Sequence, residues 1–154
     1  MSNNPNDLTV SRIIRAPRHA VWRAWTEAEH FEKWWAPAPV KTRVIDMVIA
    51  PGGSFDTEMT LPDGSVMPSR GCFLEVVPEE RIAFTDALQG GWRPNEESFF
   101  SAIITLEEHP EGTLYTATAL HKNDEDRQKH ADMGFLDGWG TAIDQLGKIA
   151  EKLA

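Results

Sequence analysis

Two histidines late in the chain, His121 and His130, stand close to Asp132, and these are residue types suited to metal binding or acid–base work. A neutral imidazole nitrogen ligates metals, and the ring titrates near neutral pH, so two rings and a carboxylate brought together would serve either chemistry. Their spacing matches no two-histidine zinc helix, and the reading it favours is a pair of satisfied surface or cap histidines. Asp56, Glu58, Arg70, Glu75, Asp86 and Tyr115 lie on stretches that read as strands or strand ends. A proton-transferring acid among them would need burial and a raised pKa. Alternation turns Asp56 and Glu58 toward solvent, and Glu75 with Arg81 reads as a strand-end ion pair. The chain has no nucleophile elbow, phosphate loop, dinucleotide fingerprint or paired-carboxylate motif, so no catalytic residue, metal ligand or cofactor is assigned.

The elements that must position these groups follow from hydrophobic periodicity. Residues 1–7 read as a disordered leader, rich in Asn and without an apolar anchor. Residues 8–154 read as one domain. Leu8–Arg15 alternates like a half-buried strand, and Pro17 suits the first turn of a helix carrying Val21, Trp22 and Trp25. A second short helix over Glu27–Trp34 ends at Ala36-Pro37-Ala38-Pro39. From Val40 to His121 the period becomes 2, with strands over Val40–Ala50, Ser54–Leu61, Val66–Val77, Arg81–Ala87, Ser98–Glu107 and Thr113–His121. Pro62-Asp63-Gly64 is a hairpin turn, and the short loops between successive strands predict an antiparallel meander. Asn123 or Asp124 caps a final helix whose apolar stripe is Leu136, Trp139, Ile143, Leu146, Ala150 and Leu153.

Composition narrows the function class. A net charge of -9 argues against nucleic acid and against anionic membrane surfaces. The single cysteine, Cys72, excludes an internal disulfide, and the N-terminus lacks the pattern of a secretory signal. A cytoplasmic protein is the expectation. An edge strand would admit a homodimer, which nothing in the sequence specifies.

Six motifs in order resemble the START and birch-pollen-allergen (SRPBCC) superfamily. They are Ala16-Pro17 with Val21-Trp22 and Ala24-Trp25-Thr26, then Trp34-Trp35, then Gly52-Gly53 with Phe55. Met59 with Pro62-Asp63-Gly64 follows, then Gly71, Phe73, Glu75-Val76, Pro78 and Arg81-Ile82 with Phe84-Thr85, and last Gly138-Trp139 with Leu146. Within that superfamily the chain is most similar to the group named for the C-terminal domain of the heat-shock-protein-90 ATPase activator.

That resemblance implies an α+β helix-grip fold, in which a long C-terminal helix and a curved antiparallel sheet of 6–7 strands enclose a cavity for a small hydrophobic or aromatic molecule. On this reading Phe135 and Trp139 wall the cavity from the helix, where Gly134 and Gly138 make room. Trp34, Phe55, Met59, Phe73 and Phe84 contribute from the first helices and the strands, and Phe100, Tyr115 and His121 from the later strands. Trp92, in a Gly- and Pro-rich loop, becomes a lid over the mouth. Each large aromatic also has reason to sit in a core without any ligand, since burying one is worth roughly 1.5–3 kcal/mol. The expected function is non-catalytic binding of that molecule. The alternatives are a polyketide aromatase- or cyclase-like enzyme, with His121, Tyr115, Arg70 or Glu58 converging, and a chaperone-regulating interaction module.

Overall fold

Strand β1 (Asp7–Ile14) buries Val10 and Ile14 on one face, as its alternation dictates. The structure is a computed structural model that describes residues 4–154. Pro17 then sets the extended backbone ahead of α1 (Arg18–Thr26), which buries Ala20, Val21, Ala24 and Trp25. The next helix, α2 (Ala28–Phe31), is a single turn, shorter than the Glu27–Trp34 expected. Trp34 lies in the turn that follows, where its indole N–H donates to the Ala24 carbonyl at 2.8 Å.

The strands continue as β2 (Lys41–Met47), β3 (Ser54–Thr60), β4 (Val66–Val77) and β5 (Arg81–Thr85). A miniature hairpin of β6 (Leu88–Gln89) and β7 (Arg93–Pro94) occupies what the sequence reads as plain loop. Then come β8 (Ser101–His109) and β9 (Gly112–Leu120). One seven-stranded sheet of order β1-β9-β8-β5-β4-β3-β2 results, antiparallel at each pairing. It is the α+β helix-grip arrangement, with the last helix resting on β1 and α1.

The single final helix of the sequence reading is two helices. α3 (Asp124–Asp132) starts at Asn123, whose side chain accepts from the Asp126 amide at 2.8 Å. α4 (Phe135–Leu153) starts after Gly134, whose φ of 89° is left-handed and breaks the helix. The expected stripe holds at Ile143, Leu146 and Ala150, which are buried, but at its start Phe135 is buried in place of Leu136, which is 59% exposed. Among the remaining helix glycines only Gly140 is tightly packed, since a Cβ there would press into the Arg12 guanidinium, whereas at Gly138 and Gly147 a Cβ would meet Pro37 and Ile14 at ordinary contact distance.

Of the expected leader, residues 1–3 lie outside the described residues. Beyond them Asn6 and Asp7 are held in place, Asp7 pairing with Leu120 in the sheet and the Asn6 carbonyl bonding to His121. Asp56 differs too. Its side chain is half-buried, with Oδ1 sealed and unpartnered. Burial accordingly raises its pKa, against the pull of Arg70 opposite. The Glu75–Arg81 ion pair forms as expected.

The core is an aromatic cluster centred on Trp25. The rings of Phe31, Trp34, Trp35, Phe55, Phe73 and Phe84 lie 5.3–6.1 Å from it, centre to centre. Such pairs add about 0.5–1.5 kcal/mol each beyond area burial, so this cluster fixes how α1 and α2 sit on the sheet. No described helix is long and apolar enough to cross a membrane.

Candidate functional site

His121 follows directly on β9, and His130 lies on the second turn of α3, on the side that faces back toward it. The Asn123 cap turns the chain sharply between them, and His121 Nε2 and His130 Nδ1 come within 2.8 Å. Both rings are buried, at 8% and 5% exposure. On its other side His121 Nδ1 lies 2.7 Å from the Asn6 carbonyl.

Aromatic rings enclose His130. Phe99 and Phe100 lie 5.0 Å from it, Phe135 5.1 Å and Trp139 5.8 Å, centre to centre. Phe135 and Trp139 come from the first turns of α4, which Gly134 allows to start at an angle to α3. Phe99 and Phe100 are held by the Asp86 carboxylate, which accepts their backbone N–H groups at 2.9 and 3.3 Å. The Asn95 amide ties the same loop down by donating to the Asp86 and Arg70 carbonyls. Phe99, Phe100 and Trp139 are only partly buried, so the box reaches the surface through them.

The electrostatics follow from the walls. Burial, and next the neighbouring His121, push the His130 pKa down to about 4, so the ring is neutral at pH 7. Burial raises the Asp86 carboxyl, opposed by the Phe99 and Phe100 amides and by Lys122. Tyr115 is driven up by burial, with only the Trp25 indole opposing.

The histidines therefore meet, as their residue types allowed, but as a core pair and not as surface or cap groups. Asp132 does not join them: it is exposed and bonded to Gln128. Among the described residues the one group of three side chains spaced to hold a metal is Glu27, Glu29 and His30, at the surface. There Glu27 is already paired with Arg23 at 2.8 Å.

The other expected site residues divide into three sets. Phe100, His121, Phe135 and Trp139 belong to the box. Trp34, Phe55, Phe73 and Phe84 belong to the Trp25 cluster, and Tyr115 sits beneath it, accepting from the Trp25 indole N–H at 3.0 Å. The two clusters touch where Phe84 and Phe100 lie 6.2 Å apart. Met59 and Trp92 stand outside both. Met59 is half-buried on β3 opposite Thr42 and Met67, and Trp92 is 52% exposed. The Trp92 ring lies against Gly52, whose missing side chain makes room for it, so it is not a lid over this site. Nor do the residues expected of a cyclase converge: Tyr115 is sealed in the core, Arg70 is exposed, and Glu58 lies elsewhere on β3.

Where a cavity was expected, side chains meet. Phe100 and Trp139 are 5.6 Å apart across the interior, and Phe135 lies 4.6 Å from Trp139 at a tilt. A groove of about 690 Å³ lies at the surface beside the box, bordered by Arg70, Asp86, Asn95, Phe99, Lys122 and Lys129. Phe99 is the box residue that sequence reasoning did not select, and His130 reads in the sequence as a surface or cap histidine, not as part of the ligand site. Adjacent strand residues point to opposite faces, which would separate Phe99 from Phe100, but both precede β8 and both turn to His130.

Comparison with known proteins agrees with this architecture. A protein from Nitrosomonas europaea of known structure is 40% identical over 95% of this chain and 94% of its own, with a TM-score of 0.89. One from Mycobacterium smegmatis is 27% identical over 94% of this chain and 90% of its own, with a TM-score of 0.79. One from Chromobacterium violaceum is 25% identical over 96% and 99%, with a TM-score of 0.77. No curated protein matches. The family model described as Activator of Hsp90 ATPase homolog 1-like protein matches residues 15–151, from the end of β1 almost to the end of α4. With the strand order, the grip of the last helix and this match in agreement, the chain belongs to the Activator of Hsp90 ATPase homolog 1-like family.

Proposed function

We propose that this protein binds a small apolar or aromatic molecule between α4 and the inner face of the sheet, at the rings around His130. The family and fold support a ligand-binding or regulatory domain. The observation that carries the finer reading is the box itself. Phe99, Phe100 and Trp139 keep part of their surface in water while their neighbours Phe135 and His130 are sealed. Half-exposed rings at the border of a packed aromatic tract are the place where an apolar molecule gains most by covering them. The molecule enters by displacing rings and not by filling an empty chamber, because Phe100 and Trp139 already meet there.

The test is titration with 2-methylnaphthalene, followed through the indole N–H resonances of the tryptophans. Binding at the box moves the Trp139 signal and leaves Trp25 and Trp34 in place, and Phe100→Ala, which keeps the reporter, weakens the response. A Trp139 signal that stays still at saturating probe would refute the reading, as would equal shifts of all the indoles. Native mass spectrometry of gently purified protein adds the identity of any molecule carried along.

A further inference from the structure

We propose that His130 Nε2 is the polar contact of this site, a hydrogen-bond acceptor oriented by His121 that selects small aromatic molecules carrying an O–H or N–H donor. The inference rests on the binding reading above and adds the class of ligand.

Hydrogen-bond bookkeeping along the relay assigns the protons. A backbone carbonyl can only accept, so His121 Nδ1, 2.7 Å from the Asn6 oxygen, carries a hydrogen. We take the His121 ring as the neutral tautomer, in which a proton on Nδ1 leaves the lone pair on Nε2. His121 Nε2 therefore accepts from His130 Nδ1 across their 2.8 Å contact. His130 in turn has its lone pair on Nε2, and among the described residues this atom has no hydrogen-bond partner. Protonation of His130 would turn Nε2 into a donor, and the surroundings oppose it, since burial holds the pKa at about 4.

The neighbours leave this atom as the free acceptor of the box. Phenyl rings offer none, and the Trp139 indole N–H can only donate. The Asp86 oxygens already accept the Phe99 and Phe100 amides, and Asp86 is not one of the rings around His130. Lys129 lies over the Phe99 ring, 5.5 Å from its centre, and Lys122 is engaged by Asp126 and the Ser98 carbonyl. A ligand that satisfies the Nε2 lone pair gains a hydrogen bond in a poorly solvated place. One that covers it with a methyl group leaves a buried acceptor unpaired.

Two measurements on the wild-type protein decide the matter. In long-range proton–nitrogen spectra of histidine-labelled protein at pH 7, both His121 and His130 should carry their proton on Nδ1. A proton on His130 Nε2 overturns the assignment. In titrations with 2-naphthol and its methyl ether, the naphthol should bind roughly 3- to 10-fold more tightly and should shift the His130 Nε2 signal. In His130→Phe, which keeps a ring in the box but removes the acceptor, the two probes should bind alike. Equal affinity for both probes in the wild type overturns the donor preference and leaves apolar binding standing. If neither probe binds, both readings fall.

Discussion

The indole N–H of Trp25 donates to the Tyr115 hydroxyl at 3.0 Å, and both residues are about 2% exposed or less. This bond ties α1 to the middle of β9 through the densest part of the aromatic cluster. Tyr115→Phe removes one oxygen and leaves the Trp25 N–H buried without a partner, at a cost of about 1–3 kcal/mol. Chemical denaturation should show that loss as a lower midpoint with an unchanged slope. An unchanged midpoint would mean that the indole finds another acceptor.

The His130 pKa makes stability depend on pH in a defined direction. The folded state holds it at about 4 against 6.5 for the free side chain, so between those values the unfolded chain binds more protons. The contribution is fully present above pH 6.5 and is lost as pH falls toward 4. Relative to His130→Gln, the wild type should lose roughly 3 kcal/mol across that window. Parallel curves for the two proteins, measured by urea unfolding at several pH values, would count against a buried neutral histidine.

Gly134 and Gly112 both have positive φ, at 89° and 140°, but differ in surroundings. A Cβ at Gly134 meets nothing within 4 Å, so Gly134→Ala should cost only the backbone strain, about 1–2 kcal/mol. At Gly112 the added carbon would collide with the backbone of Ile14 and Ala16, and Gly112→Ala should cost clearly more. Thermal melts of the two variants side by side check the order, and a reversal would show that the β8–β9 turn yields easily.

Asp86 is the post from which Phe99 and Phe100 hang. Asp86→Ala should increase amide hydrogen exchange at both residues and weaken binding of 2-methylnaphthalene, while the Trp25 cluster keeps its protection. Asp86→Asn retains one acceptor and removes a charge that burial disfavours, so at pH 7 its stability should fall less than that of Asp86→Ala. Equal exchange at Phe99 and Phe100 in all three proteins would refute the positioning role.

Legibility in the sequence followed the range of the interactions. The Pro62-Asp63-Gly64 turn is local, and the structure closes it with Asp63 Oδ1 accepting from the Ser65 amide at 2.9 Å. The Glu75–Arg81 pair was equally legible, because a short turn joins two alternating strands. The α3–α4 break was not. The apolar stripe begins only at Leu136, past the break, and the polar run before it is as compatible with one helix as with two, so only the backbone angle at Gly134 tells that two axes meet. The box was half legible. Its aromatic and histidine residues stand out by type, but their convergence depends on the Asn123 cap, the Asp86 anchor and the irregular segment before β8. None of these leaves a periodic trace.

The pairing of β1 with β9 has a consequence for synthesis. The contact between Asn6 and His121 joins residues 115 positions apart, and β1 has no other strand neighbour in the sheet. On the ribosome the first strand must therefore wait, with Val10 and Ile14 uncovered, until all the remaining strands have emerged. α4 rests on β1 and cannot dock before that wait ends. The meander from β2 to β5 can form as it emerges, so the sheet is built from its far edge inward and is sealed by β1 and α4.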